Sequence, residues 1–500
     1  MNICFENKEI NAYREIMYKI QKTQATAESV VPDTNDDIGK IASVHTSVMM
    51  KSKDITSRGI IVIGEVYATL LYITENENDV SYIKMNKSFT LEYDAEDIPQ
   101  DSVAQINLNV SNIETRILNP RKVSVTIEIS GELECYAQEP AVIYTALPEN
   151  SNETIHAKFE TCESIIINCA CEKTFAINEQ FVFPGGKPAP AQLVSQNLNF
   201  SVNETQLVGN KVVVKGNVNL SVCYLSNEVD YPVQTEFNSP FSQIVDIGRD
   251  LMDDCSAVVI LTSAYYELVD TISNEKALDA ELHAVIQIVS RCRQELGYIS
   301  DVYSNLMPVE CNIKKEKICD YANILRTKLS SDYRISIVED CMDVLSIFPY
   351  ITQVSATDNK LAAAVALDTI YRTKNNTLSS ARRMLNLEGE CLASPGRIVS
   401  QRISDIYLRP DGAFVEGHIS VEICYLSSSN SELNRVIAVE MIEEEAYDLN
   451  KFPTVSLVRG AEESLWDLAK QYHSSVECIN LVNNIEEGIK GKMLLIPKEV

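Results

Sequence analysis

One tryptophan and five histidines in 500 residues leave few groups for chemistry. His45, His156, His418 and His473 stand singly, and His283, inside the alternating run DAELHAVIQIV, reads as an outward or hydrogen-bonded sheet residue. There is no His-Glu-x-x-His, no Gly-x-Ser-x-Gly and no phosphate-cradling glycine loop, so the zinc-protease, nucleophile-elbow and P-loop mechanisms have no foothold. Basic residues are also short: 43 Lys and Arg against 71 Asp and Glu leave a formal charge of −28. Such a polyanion repels phosphate backbones, and no basic stripe interleaved with aromatics relieves it, so nucleic acid is not an expected partner. The acidity reads as solubility, with a surface tuned to a basic partner as the alternative. Long apolar runs are missing too. LAAAVAL, Leu361 to Leu367, falls far short of the roughly 20 residues of a spanning helix, so no transmembrane segment is expected.

The 14 cysteines contain no Cys-x-x-Cys pair. Cys169 and Cys171, the nearest to one, have no neighbouring histidine or second pair to complete a metal site, and core packing is the preferred reading. Cys223 in LSVCYL and Cys424 in VEICYL sit where a thiol acts as a small hydrophobe. MNICFENKEINAYREIM has no apolar leader core, so a reducing cytoplasm is the expected compartment. The acidic pairs Asp36-Asp37 and Asp253-Asp254 fall in expected turns. No catalytic residue, metal or cofactor is assigned.

What is present is repetition. Five hundred residues exceed one core and imply three or four domains. In Gly59 to Ile73, apolar side chains fall on Ile60, Val62, Val66, Ala68, Leu70 and Tyr72, with Gly64 in the gap; this period of two marks a strand with one buried face. Asn210 to Leu225 repeats it with Val212, Val214, Val218, Leu220, Val222 and Tyr224 around Gly216, 152 residues further on. The same offset joins Pro32 to Pro184, Ile41 to Leu193 and Phe89 to Phe241. A third copy keeps Leu361, Val365, Leu367 and Tyr371, with Ala363 in place of the glycine. Asp411 to Leu426, where Gly417 precedes Tyr425 by eight residues, is assigned to the second half of that third copy. The glycine is read as a bulge or a close backbone approach, and the tyrosine as a core-edge ring with a wet hydroxyl. A second strand group follows each copy, as in KVSVTIEISGELECY with Val123, Val125, Ile127 and Ile129. The fold expected is mainly β: repeated β-sandwich-like modules at residues 1–141, 142–295 and 296–447. Helical pieces are expected near Tyr13 to Gln24 and Ile318 to Leu329, and linkers at Phe183 to Ala191 and Asp448 to Thr454.

VVPDTNDDIGKI from Val30, the strand ending LLYI, and YISDVYS from Tyr298 resemble the SPOCS domain of endospore-forming bacteria. That resemblance spans most of residues 25 to 447 and implies a protein of the spore coat or its assembly.

The tail, residues 452–500, reads as a compact β-α-α-β unit. Val455 and Leu457 open it, and Ser464 caps a helix with Leu465, Leu468, Ala469 and Tyr472 on one face. Ser474 or Ser475 caps a second helix with Val476, Ile479 and Val482 inward, and Met493 to Ile496 close it. VRG, SLWDLAKQY, SVECI and GKMLLIP resemble a LysM domain. The family's usual Gly-Asp-Thr is replaced by Gly460 followed by Ala461, Glu462, Glu463 and Ser464, a longer and more acidic loop. Trp466 is read as packing its helix onto the small sheet, with an exposed contact as the alternative. Asn480, Asn483 and Asn484 are read first as turn and cap residues. Candidate partner- or glycan-binding residues are Arg459, Gly460, Glu462, Glu463, Trp466, Asn483 and Asn484. The combined resemblance implies a non-enzymatic scaffold or adaptor in mother-cell cytoplasm, at the forespore surface and then in the coat. Its tail would engage the membrane-associated coat morphogenetic ATPase, its modules other coat proteins. The alternative is a peptidoglycan- or chitin-type glycan-binding protein.

Overall fold

The computed structural model describes all residues except 1–4, 11, 76–78, 140, 148–154, 249–253, 274, 317–320, 338–339, 358, 429–431, 443–445, 486–488 and 500. The chain is mainly β, built from small antiparallel sheets. A first unit runs β1 (Glu6–Ile10), β2 (Tyr13–Val30), β3 (Ile38–Thr56), β4 (Gly59–Thr74), β5 (Val80–Asp94), β6 (Val103–Asn119), β7 (Lys122–Gln138) and β8 (Ala141–Ala146). The second runs β9 (Ile155–Val182), β10 (Gln192–Val208), β11 (Lys211–Leu225), β12 (Val233–Asp246), β13 (Cys255–Asp270) and β14 (Lys276–Ser304). The third runs β15 (Val309–Glu316), β16 (Tyr321–Ser336), β17 (Cys341–Thr357), β18 (Lys360–Thr373), β19 (Leu378–Glu390), β20 (Pro395–Asp411), β21 (Phe414–Ser428) and β22 (Leu433–Met441). The C-terminal segment is β23 (Val455–Arg459), α1 (Leu465–Gln471), α2 (Val476–Asn483) and β24 (Met493–Pro497).

Each unit repeats one sandwich. The sheets β3-β4-β5, β10-β11-β12 and β17-β18-β19 share a strand order, as do their facing sheets β2-β7-β6, β9-β14-β13 and β16-β21-β20. The facing sheets of units one and two touch edge to edge through Tyr13 and Ile167. The alternation in β4 and β11 points one face inward: Val62, Leu70 and Tyr72 meet Val123, Val125 and Ile129 in one core, and Val212, Leu220 and Tyr224 meet Leu278, Leu282 and Ile286 in the next. In unit three Leu361, Ala363 and Val365 meet Ile419, Val421 and Tyr425. Each such aliphatic side chain contributes about 1.5–3 kcal/mol when fully buried. The Ala363 strand therefore stands where the Gly64 and Gly216 strands stand, and Gly417 belongs to the facing sheet.

The recurrent glycine and tyrosine have physical explanations. Gly64 lies opposite Phe89 and Gly216 opposite Phe241. A Cβ on Gly64 would sit 2.3 Å from the Phe89 ring, and one on Gly216 2.2 Å from the Ser201 carbonyl oxygen. The requirement is space for a ring and a bulged neighbour strand. The Tyr72 hydroxyl donates to the Asp36 carbonyl at 3.1 Å and Tyr224 to the Pro188 carbonyl at 2.9 Å, again one bond repeated at the 152-residue offset. These hydroxyls are tied to the preceding connection rather than wet.

Bulges bring the units together. The register of β3, β10 and β17 shifts after Ile41, Leu193 and Val344. The extra residues, Ala42, Val194 and Leu345, join Leu71, Cys223 and Ile370, which occupy matching positions on β4, β11 and β18, in one cluster. The flanking strands form a second junction. β1 pairs with β8, β15 with β22, and the first half of β9 with the last half of β14, giving three two-stranded ribbons. Ile10, Ile143, Ile166, Leu296 and Leu433 pack these ribbons against one another.

Two helix expectations are overturned. Tyr13 to Gln24 is part of β2, which follows β7 for its whole length. Ile318 to Asp320 lies outside the described residues, and from Tyr321 the chain is β16, paired to β21. In both, long-range pairing outweighs local propensity. Phe183 to Ala191 connects β9 to β10 inside unit two. Asp448 to Thr454 does join unit three to the C-terminal segment, through a short 3-10 turn at Leu449–Lys451.

Candidate functional site

The C-terminal segment is small, and its two helices are set by their caps. The Ser464 hydroxyl accepts from the Asp467 amide and the Asp467 carboxylate accepts from the Ser464 amide, closing a capping box. The Ser464 hydroxyl also donates to the Asp467 carboxylate at 2.6 Å, and this bond, then the one from the Ser464 amide, holds the carboxyl below its usual range. Ser475 caps α2, which ends on Asn484 in the left-handed conformation, φ 46°. Leu468, Ala469, Ile479, Leu494 and Ile496 form the interior.

Trp466 is half-buried and turned toward unit two. Its indole Nε1 donates to the Asp301 carboxylate at 2.8 Å, and its ring stands edge-on to Tyr303 at 4.8 Å between centroids. Lys470 forms an ion pair with Asp301 at 2.9 Å. The Tyr303 hydroxyl donates to the Ser474 carbonyl at 2.8 Å, and burial pushes its pKa above the ordinary phenol value. Asp301 and Tyr303 belong to β14, so the last strand of unit two is a seat for the domain. The linker contributes as well: the Tyr447 amide donates to the Leu306 carbonyl and Lys498 to the Leu449 carbonyl, both at 2.8 Å.

The other candidate residues divide sharply. Gly460 is buried, exchanges backbone bonds with Lys492 and Gly491, and has the Ile489 carbonyl oxygen 2.1 Å from where a Cβ would be. Glu462 pairs with Lys490 at 2.8 Å across the two loops, though both are so exposed that the pair adds little. Asn483 is structural: its side chain donates to the Ile479 and Leu495 carbonyls and accepts from the Leu495 amide. Asn484 is the helix cap. Arg459 and Glu463 are solvent-exposed, Arg459 lying opposite Met493. The loop around 483–490 is described only in part, since 486–488 fall outside.

The outer face of β23 and β24 is open and, Arg459 apart, apolar. Leu457 is opposite Leu495, with exposures of 64% and 44%; Val455 and Met493 beside them are 51% and 56% exposed. Val482, expected to point inward, is 49% exposed, and Leu481 beside it 79%. Sequence reasoning missed both this face and its counterpart seat. The apolar residues on both faces of VSLVR and MLLIP were a signal for the first, because a two-stranded sheet with two apolar faces has one left uncovered. For the second, the signal was Asp301, a lone acid in the apolar run YISDVYS.

Elsewhere the histidines are held by packing or by a paired side chain. Burial pushes His45 down to about 3, and its ring lies on Phe348 with centroids 3.7 Å apart. Burial also lowers His156, which is bonded to Asn305, and His473. His283 pairs with Glu281 on the surface and His418 with Asp332. Asp37 pairs with Arg121 at 2.6 Å, and Asp253 is outside the described residues. The described cysteines are free thiols. Hydrogen bonding with Cys169, then burial, raises Cys171, and burial pushes Cys255 up to about 12. Among the described residues no group of three or more His, Cys, Asp or Glu could hold a metal ion, and no helix is long and apolar enough to cross a membrane.

Residues 37–118 and 191–269 match the family described as SipL, SPOCS domain. The chain carries two SPOCS domains. They fall on β3 to β6 in unit one and β10 to β13 in unit two, about a third of the sequence, and unit three repeats their strand order outside the matched stretches. The SPOCS domain places the chain in the context of spore-coat proteins. No curated protein matches the chain.

Proposed function

We propose that the protein is a non-enzymatic scaffold of the endospore coat whose C-terminal domain, LysM-like in its β-α-α-β order, docks a protein. The partner indicated by the resemblance is the morphogenetic coat ATPase, met in the mother-cell cytoplasm at the forespore surface. The observation that carries this reading is the open face of Val455, Leu457, Met493 and Leu495. Uncovered apolar side chains gathered on one small sheet suit a protein surface, whereas a sugar needs polar groups placed to hydrogen-bond. Trp466, the residue a glycan would stack on, is engaged by Asp301 and Tyr303. The three units add further faces for other coat proteins, so that weak contacts combine through effective concentration.

The test is a binding titration with purified coat ATPase, using the full chain, a chain ending at Leu449 and the variant Leu457→Glu/Leu495→Glu. Loss of binding in both altered proteins, by about tenfold or more, is expected from removing a central apolar contact. Equal affinity of the shortened chain refutes the docking role. Saturable binding of chitin oligomers that Trp466→Ala abolishes would put the glycan reading in its place.

A further inference from the structure

The three units surround a solvent-open cavity of about 870 Å³, a volume typical of small-molecule sites. Equivalent strand positions line it: His45 and Ser47 on β3, Asn197 and Asn199 on β10, Phe348 and Tyr350 on β17. The equivalence follows from register, since His45, Asn197 and Phe348 lie opposite Thr69, Ser221 and Asp368, matched positions of the three central strands. One site in the repeat has thus acquired three chemistries: imidazole and hydroxyl, amides, and aromatic rings.

The amide wall extends across unit two. Asn199, Asn219 and Asn238 stand side by side on β10, β11 and β12. The Asn238 amide donates to the Asn219 oxygen at 2.6 Å, and the Asn219 amide donates to the Ser201 hydroxyl at 3.0 Å. These bonds fix the amide planes, while Asn197 and Asn199 remain exposed. Asn109 of β6 and Gln401 of β20 add two more amides. Arg402, the lining cation nearest Gln401 in sequence, is held by Glu422 at 2.6 Å, and Glu236 and Asp405 also line the space. An anion is therefore disfavoured. A lipid tail is disfavoured too, because covering so many amides without returning their hydrogen bonds is costly.

We propose that this axial cavity binds a neutral saccharide of roughly two or three rings, a size consistent with such volumes. The exposed side-chain amides of Asn197 and Asn199 exchange hydrogen bonds with ring hydroxyls, each carrying a donor and an acceptor. Tyr350 of unit three lines the cavity as an aromatic surface for the sugar's C–H groups, beside Phe348, whose ring already packs on His45. The inference is independent of the C-terminal docking face.

The experiment is saturation-transfer NMR with calorimetric titration on the full chain, using chitotriose and maltotriose as probes and glucose 6-phosphate as the anionic control. At least one neutral probe should bind saturably and the control should not. Asn199→Leu and Tyr350→Ala should each weaken binding about tenfold, the scale of one lost hydrogen-bond pair or stacking ring. Ser47→Trp, which puts a large ring into the cavity, should weaken it as well, and Trp466→Ala should leave it unchanged. Thermal melts identify any variant that fails to fold, and the other two then decide. Absence of saturable binding by both neutral probes overturns the proposal, as does binding that survives Asn199→Leu and Ser47→Trp or is lost with Trp466→Ala.

Discussion

In units one and two a phenylalanine lies across a glycine; at the same place in unit three Leu387 lies across Ala363. The interior volume is divided differently between two strands, and the neighbouring backbone follows. In the first two units β3 and β10 carry their last bulge beside the glycine, after Met50 and Val202. In unit three the shift comes after Ile351, opposite Val365, two positions away from Ala363. The comparison teaches that the glycine, the ring and the bulge form one packing solution, and that unit three has exchanged all of it together. The two stretches matching the SPOCS family lie in the units that keep the glycine and ring.

The largest effect expected from breaking this pattern is in Gly216→Val. Its Cβ would collide with backbone at Ser201, so the loss of stability should be on the order of 3 kcal/mol or more. Ala363→Val should cost less, and equal denaturation midpoints for the two would end the comparison. Next comes Leu387→Phe, which overpacks unit three by about 1–3 kcal/mol. Adding Ala363→Gly should recover much of it, with a coupling of about 1 kcal/mol in a double-mutant cycle; strict additivity would show the positions to be independent. Smaller still, Tyr72→Phe and Tyr224→Phe should each cost about 1 kcal/mol through the lost bond to a backbone carbonyl. Urea unfolding measures both, and a cost confined to one of them contradicts the repeated role.

The last effect, absent at neutral pH and so the smallest there, concerns His45, whose counterpart in unit two is Asn197. Burial puts the native pKa near 3, below the ordinary 6.5, so as pH falls below 6.5 the unfolded chain takes up the proton first. Stability then declines toward pH 3, by at most about 1.4 kcal/mol per pH unit from this group, and by less because the ring keeps some solvent contact. His45→Asn should match the parent at pH 7 and exceed it at pH 5. Parallel pH profiles of the two proteins would remove the histidine from the account.

The parts of this fold legible in the sequence are those in which a sandwich imprints its interior on one strand. Val62, Val66 and Leu70, then Val214, Val218 and Leu220, announced both the sheet and its duplication, because a buried face repeats every second residue. The capped helices of the C-terminal segment were legible for a similar reason, their signals being local. Tyr13 to Gln24 misled because its spacing of large residues also suits a helix, and only the distant β7 decides between the two. Trp466 was equally opaque: its hydrogen-bond partner Asp301 lies 165 residues earlier. The axial cavity needs three strands from three units, and no single segment carries its outline.

The paired flanking strands have a mechanical consequence. Glu6 stands opposite Ala146, Ile155 opposite Ser304, and Val309 opposite Met441, so the chain enters and leaves each unit at the same end of a ribbon. Tension along the backbone opens a ribbon like a zipper, one rung at a time, before any strand of the sandwich behind it is loaded. A shell that swells or dries would spend its strain on those rungs, leaving the globular bodies and whatever they hold intact.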